Sequence, residues 1–170
     1  YMKQQTAPVE TNSTWAGLRD SQTKTLSVTN TAMAVITDVG DADNIHPKDK
    51  KTVGERLALA ARAKIYGTKV IYSGPAYKNL EIKGDKAVVR FSDTGSGLTA
   101  KGDKLTGFAV AGEDKQWHWA DAQIDGDTVI VSSPEVKAPV AVRYNWANNP
   151  VGNLFNKEGL PASLFKTDNW

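Results

Sequence analysis

Ala32-Met33-Ala34-Val35-Ile36-Thr37, then Asp38-Val39-Gly40-Asp41-Ala42-Asp43-Asn44-Ile45-His46-Pro47, then Lys48-Asp49-Lys50-Lys51-Thr52-Val53: these three successive stretches decide how the chain is read. The first is a short apolar run and predicts a buried strand. The second is polar and predicts a loop. The third opens a helix over residues 48–66, with Val53, Leu57, Ala60, Ala61 and Ile65 along one stripe and Gly67 as its stop. Strand, loop and helix make up one α/β layer, and a single layer cannot bury both faces of its strand.

Upstream, Ser13 or Asn12 can cap a helix over residues 14–26, with Trp15, Leu18 and Gln22 near one face. Downstream, residues 69–72 look like a strand leaving the second helix. Residues 1–72 therefore read as the closing piece of a larger α/β domain. From Ser73 the helical period vanishes. Short strands are predicted at residues 79–82, 87–91, 107–111, 116–120, 128–132 and 140–144. Lys83-Gly84-Asp85 and Asp125-Gly126-Asp127 suit tight hairpins, because glycine tolerates positive φ. Residues 73–170 read as a small antiparallel β-sandwich whose tail, residues 145–170, lies over a surface.

Composition narrows the chemistry. The chain has 170 residues, enough for one domain or two small ones. Twenty-one Lys and Arg against 19 Asp and Glu leave a net charge of +2, which gives no reason to expect nucleic acid or an anionic membrane as partner. The absence of cysteine excludes disulfides, thiolate zinc sites and cysteine nucleophiles. Two histidines 72 positions apart argue against a metal site, and no cofactor is expected. No apolar run reaches the roughly 20 residues of a membrane helix. The first residues, Tyr1-Met2-Lys3-Gln4-Gln5, are polar and hold no signal peptide. We read Tyr1 as an internal start, left by processing, by a cloned fragment, or by a second chain that holds the upstream part.

His46 follows a strand, sits behind a cluster of acids and precedes a helix. A serine hydrolase needs such an imidazole to take the serine proton and return it to the leaving group. It also needs an acid on the other ring nitrogen, to set the tautomer and stabilise the imidazolium. Asp43, three residues before His46, can reach back to do this. The plainer reading is a solvated turn whose aspartates cap the next helix.

Asp43-Asn44-Ile45-His46-Pro47-Lys48-Asp49-Lys50 resembles the last Asp-x-x-His block of SGNH-type hydrolases. Val53-Gly54-Glu55-Arg56-Leu57-Ala58-Leu59 and Trp15-Ala16-Gly17-Leu18-Arg19-Asp20-Ser21-Gln22 are similar to segments of sialate O-acetylesterase-like proteins. So are Tyr72-Ser73-Gly74-Pro75, Val131-Ser132-Ser133-Pro134-Glu135-Val136, Val142-Arg143-Tyr144-Asn145-Trp146-Ala147 and Asn156-Lys157-Glu158-Gly159-Leu160-Pro161-Ala162-Ser163. The resemblance runs in order from about Val9 to Asp168. It implies the C-terminal part of a flavodoxin-like three-layer hydrolase domain, followed by the β-sandwich. It also implies a Ser-His-Asp esterase acting on acetylated carbohydrate, with His46 as general base and Asp43 as its acid. Asp41 and a backbone carbonyl are competitors for the acid's place. Members are commonly exported by bacteria, which implies a periplasmic or secreted setting.

The family's serine belongs to an upstream segment, in a Gly-Gln-Ser-Asn-like or Gly-Asp-Ser-like motif that is absent here. Gly95-Ser96-Gly97 reads as a turn, since Thr94 and Leu98 stand where Gly-x-Ser-x-Gly needs glycines. Ser73, Ser132 and Ser133 fall in the β-rich part, and Ser13 is a helix cap. The expected partner is therefore an upstream segment that carries the nucleophile. Acetylxylan and other polysaccharides are alternative substrates. A carbohydrate-binding module is the alternative outside catalysis, with Trp117 and Trp119 stacking on sugar and His118 on the opposite strand face. Arg143, Tyr144 and Trp146 have two readings, core packing and the wall of a substrate cleft. Trp15 and Arg19 are expected to pack against the hydrolase sheet. Lys48-Asp49-Lys50-Lys51 is expected to be a solvated helix turn.

Overall fold

Ser13 and Asp49 start the two helices. In the computed structural model, which describes residues 2–170, Ser13 Oγ accepts the Ala16 N–H at 3.1 Å before α1 (Thr14–Thr25). Asp49 Oδ1 accepts the Thr52 N–H at 2.9 Å before α2 (Lys50–Lys64). Short polar side chains suit these places because the first turn leaves N–H groups without intrahelical partners. α2 turns Arg56 and Ala60 inward and leaves Leu57 and Ile65 more than half exposed. The stripe expected to be buried is thus displaced. A charged side chain fills the inner position because it finds a partner there.

The chain then becomes strands: β1 (Ala76–Lys83), β2 (Lys86–Ser92), β3 (Leu98–Ala100), β4 (Phe108–Ala111), β5 (Trp117–Trp119), β6 (Asp121–Asp125), β7 (Thr128–Ser132), β8 (Ala141–Tyr144), β9 (Leu154–Asn156) and β10 (Phe165–Lys166). One four-stranded sheet has the order β1-β2-β7-β6, a second β10-β8-β4-β5, and β3 pairs with β9. All these pairings are antiparallel. Gly84 and Gly126 have φ of +63° and +57° and stand first in the two-residue turns of the β1–β2 and β6–β7 hairpins, where an L side chain would be strained.

Alternation along the strands builds one core between the two large sheets. Ala87, Val89 and Phe91 of β2 and Val129 and Val131 of β7 join Phe108, Val110, Val142, Tyr144 and Phe165 of the second sheet. Each buried valine or phenylalanine contributes about 1.5–3 kcal/mol relative to an exposed one. Ala109 points the other way. With Val9, Ala16, Trp146 and Leu164 it forms a second cluster, which seats α1 on the back of the β4–β8 sheet. Ala16 is wholly buried there, and its small side chain lets the helix approach closely.

Three expectations are corrected. Residues 33–37 are half-buried and Ala32 is exposed; residues 32–37 join no sheet, and no N–H among them has an acceptor among the described residues. Apolar composition predicts a strand, yet a strand also needs a neighbour to hydrogen-bond. Residues 69–72 likewise form no strand. The tail does add to the sheets, through β9 on β3 and β10 on β8. Strands of three and two residues are too short to show a period. β6 also escaped the sequence reading, since only Ala122 and Ile124 among its five residues are apolar. No helix of the described residues is long and apolar enough to cross a membrane.

Candidate active site

The loop between residues 38 and 49 has no regular structure, and three ties hold it. At its start Asp38 meets Arg56 of α2 doubly, Nη1 to Oδ1 at 2.6 Å and Nη2 to Oδ2 at 2.7 Å. Arg56 Nη1 also donates to the Val35 carbonyl at 2.6 Å, and Lys101 Nζ lies 3.7 Å from Asp38. In the middle, the Ala42 carbonyl accepts the Met2 N–H at 2.7 Å. At its end Asp49 caps α2, and Thr52 Oγ1 donates to its second oxygen at 2.7 Å. Hydrogen bonds from the Thr52 N–H and hydroxyl hold the Asp49 carboxyl below its ordinary range.

His46 stands between the second and third ties. Its backbone N–H donates to Asn44 Oδ1 at 2.9 Å, a side-chain turn that fixes its direction along the loop. Its side chain is exposed. Asp43 is exposed too, and its N–H donates to Asp41 Oδ1 at 2.9 Å. Among the described residues no hydrogen bond joins the imidazole to Asp43, to Asp41 or to any serine. The Asp41 carboxylate serves the turn through one oxygen, while that of Asp43 has no hydrogen-bond partner among the described residues.

Beside the loop runs a groove of about 530 Å³. Trp15 and Leu18 of α1, Met33 and Ile36, Ile45 of the loop and Leu164 line it. Ile45 and Pro47, the chain neighbours of His46, are in its wall, and Ile45 is 75% exposed. Of its lining, Trp15, Leu18 and Leu26 are large, apolar and exposed; Leu57, Ile65, Tyr66 and Ile71 are exposed as well, outside that lining.

No family model matches the chain. Sialate O-acetylesterase of Rattus norvegicus is 33% identical over 130 residues, which are 71% of this chain and 24% of that protein. The human sialate O-acetylesterase is 32% identical over 132 residues, 71% of this chain and 25% of the relative. A crystal structure of a carbohydrate acetylesterase from Xanthomonas citri superposes with a TM-score of 0.90 at 51% identity, over 93% of this chain and 37% of that one. The chain belongs to the sialate O-acetylesterase-like family. It spans about a quarter of the length of these curated family members and just over a third of that solved chain.

The remaining residues singled out in this family member mostly do structural work. Ser96 Oγ donates to Glu158 Oε1 at 2.5 Å, holding the Glu158 carboxyl below its ordinary range. Ser133 is buried and donates to Glu135 at 2.7 Å, and Ser73 to the Gly74 carbonyl at 3.1 Å. Arg143 packs between Trp117 and Trp146, its guanidinium 4.6 and 5.0 Å from their ring centres. Trp117 also lies 6.4 Å from Trp170, so little of it remains for a sugar, whereas Trp119 keeps 38% exposure. His118 Nδ1 lies 3.6 Å from Glu135 Oε2. Tyr144 is buried in the core. Lys48, Lys50 and Lys51 are solvated, and Lys51 sits 3.8 Å from Glu55.

The sequence reading gave no role to Asp38 or Arg56. An aspartate ending the apolar run and an arginine in the second turn of the following helix were the available signal. It also passed over Asn148 and Asn149. Arg19 donates to the Ala147 and Asn148 carbonyls at 2.9 Å each, so it packs against the β part, and burial pushes its guanidinium down.

Proposed function

We propose that this chain contributes the histidine and acid of a serine carbohydrate O-acetylesterase, and that the nucleophilic serine comes from an upstream segment of the same enzyme. On this reading residues 1–72 complete an SGNH-type three-layer domain and residues 73–170 form an accessory β-sandwich. A strand of the upstream segment pairs with residues 32–37, and its apolar faces cover the groove. The serine hydroxyl attacks the acetyl carbonyl as His46 Nε2 takes its proton. The tetrahedral intermediate collapses, the proton passes from His46 to the departing sugar oxygen, and an acyl-enzyme remains. Water, deprotonated by His46, then releases acetate and restores the serine. Asp43, whose carboxylate is not engaged in the turn, orients the imidazole. Export to the periplasm or medium goes with the same reading.

The observation that supports it is the loop itself: held at Asp38, Ala42 and Asp49, it carries an exposed His46 whose imidazole has no hydrogen-bond partner among the described residues, and the neighbours of His46 in the chain, Ile45 and Pro47, line the groove. In the test, the purified 170-residue chain and the same chain with its upstream segment are assayed on p-nitrophenyl acetate, on O-acetylated sialic acid and on acetylated xylan. Turnover is expected only with both parts present, and His46→Ala should lower it about 10²–10⁴-fold. Turnover by the chain alone, or full activity in His46→Ala, refutes the assignment. The two sugar substrates decide the sugar class.

A further inference from the structure

Asn149 and Ala42 are linked through a single residue. Asn149 Nδ2 donates to the Met2 carbonyl at 3.2 Å, and the Met2 N–H donates to the Ala42 carbonyl at 2.7 Å. Asn149 belongs to the connection between β8 and β9, Ala42 to the loop that carries His46. The connection is firmly seated. Arg19 holds two of its carbonyls, Ser13 Oγ donates to Asn148 Oδ1 at 2.8 Å, and the Asn148 N–H donates to Glu10 Oε2 at 2.7 Å. One end of the link is therefore fixed to α1 and the sheet, and the other end is a loop without regular structure. Asn148, Asn149 and Pro150 also share the wall of the groove with Asp41, Ala42 and Ile45.

We propose that Asn149 is a positioning residue for the esterase reaction. Through Met2 it sets the place of Ala42, and so that of His46, four residues on in the same loop. This rests on the reading of His46 as the general base. Of the three ties on the loop, those at Asp38 and Asp49 join it to α2, which belongs to the same layer. Asp38 also has Lys101 of the strand-rich part 3.7 Å away, an ion pair with a half-exposed lysine, whereas the tie at Ala42 leads through hydrogen bonds by way of Met2 to Asn149, so the strand-rich part gains a role in catalysis without touching substrate. A base must lie within hydrogen-bond reach of the proton it takes, and a misplacement of about 1 Å can cost on the order of 10²-fold in rate.

The test uses the complete enzyme, this chain with its upstream segment. Asn149→Asp keeps the size and loses the amide donor, and Asn149→Ala removes the side chain. Both keep the Asn149 carbonyl that accepts the Gln5 N–H at 2.9 Å, so the N-terminal segment stays attached. With p-nitrophenyl acetate, kcat is expected to fall about ten- to a hundredfold in both. KM should stay within about twofold, the mark of an interaction needed in the transition state rather than for binding. The thermal midpoint should hardly move. His46→Ala is measured alongside. If it abolishes turnover while both Asn149 variants keep the parent kcat, the positioning role is overturned and the base assignment survives. A loss of kcat that merely follows a lost folded fraction in both variants overturns it equally. If His46→Ala leaves turnover intact, the base assignment itself has failed, and this role goes with it.

Discussion

Arg143 and Asp168 form a doubly hydrogen-bonded pair, at 2.8 and 2.6 Å, in which the Asp168 side chain is wholly buried. Arg143 also donates to the Trp170 carbonyl at 3.1 Å, so the last residues of the chain are clasped to β8. Removing one member of such a pair leaves a buried charge without its counterpart. Asp168→Ala is expected to lower the unfolding free energy by about 3–5 kcal/mol, read from urea denaturation. Replacement of both Arg143 and Asp168 by apolar residues should cost less than the single change. A double variant as unstable as the single would show that the clasp acts through its shape alone.

Arg56 performs a similar task for the loop. Its side chain is 8% exposed and that of Asp38 15%. Arg56→Met frees the Val35 carbonyl and leaves Asp38 with only Lys101 near it. Stability is expected to fall by about 2–4 kcal/mol, with esterase turnover of the complete enzyme falling beyond what the folded fraction explains. Unchanged turnover in the folded protein would detach this tie from catalysis.

Asp43 and Asp41 can be separated by substitution. Asp43→Asn in the complete enzyme is expected to lower kcat about a hundredfold or more, as loss of the orienting acid does. Asp41→Asn keeps an oxygen for the Asp43 N–H and should change kcat far less. The reverse ranking would move the acid's role to Asp41.

Tyr144 gives a pH dependence whose sign can be worked out. Burial pushes its phenol well above the ordinary value of 10.0. The folded protein therefore keeps this proton at a pH where the unfolded chain has lost it. Stability from Tyr144 is fully present below about pH 10 and is lost as pH rises further, by about 1.4 kcal/mol per pH unit. Its oxygen accepts the buried Leu154 N–H at 2.9 Å. Tyr144→Phe should cost about 1–3 kcal/mol at neutral pH and remove this part of the alkaline slope. Urea midpoints measured across that range would show a slope unchanged by the substitution if another group carried it.

The parts of the fold that could be read in the sequence were those whose signals are local. Ser13 as a cap, the glycine hairpins at Gly84 and Gly126 and the alternation of β2 and β7 each follow from a few neighbouring residues. What stayed hidden depends on partners far along the chain. Phe165 pairs with Tyr144 and Leu98 with Asn156, in strands too short to carry a pattern. The inward turn of Arg56 follows from Asp38, 18 residues earlier. At the site, the Asp-x-x-His spacing picked out the loop, but spacing is silent about what holds a loop still. The ties through Met2 and Arg56 are geometric facts that appear only once the chain is folded.

The unpaired stretch of residues 32–37 has a practical side. Its backbone N–H groups have no acceptor among the described residues, and with Ile45 and Trp15 it lines one groove, so it offers donors and apolar surface to an extended polypeptide. In a preparation that lacks the upstream segment proposed to cover it, the chain would meet its own copies first. Concentration, more than heat, then governs how long a sample stays clear, and supplying the covering segment during synthesis is the remedy that removes the cause.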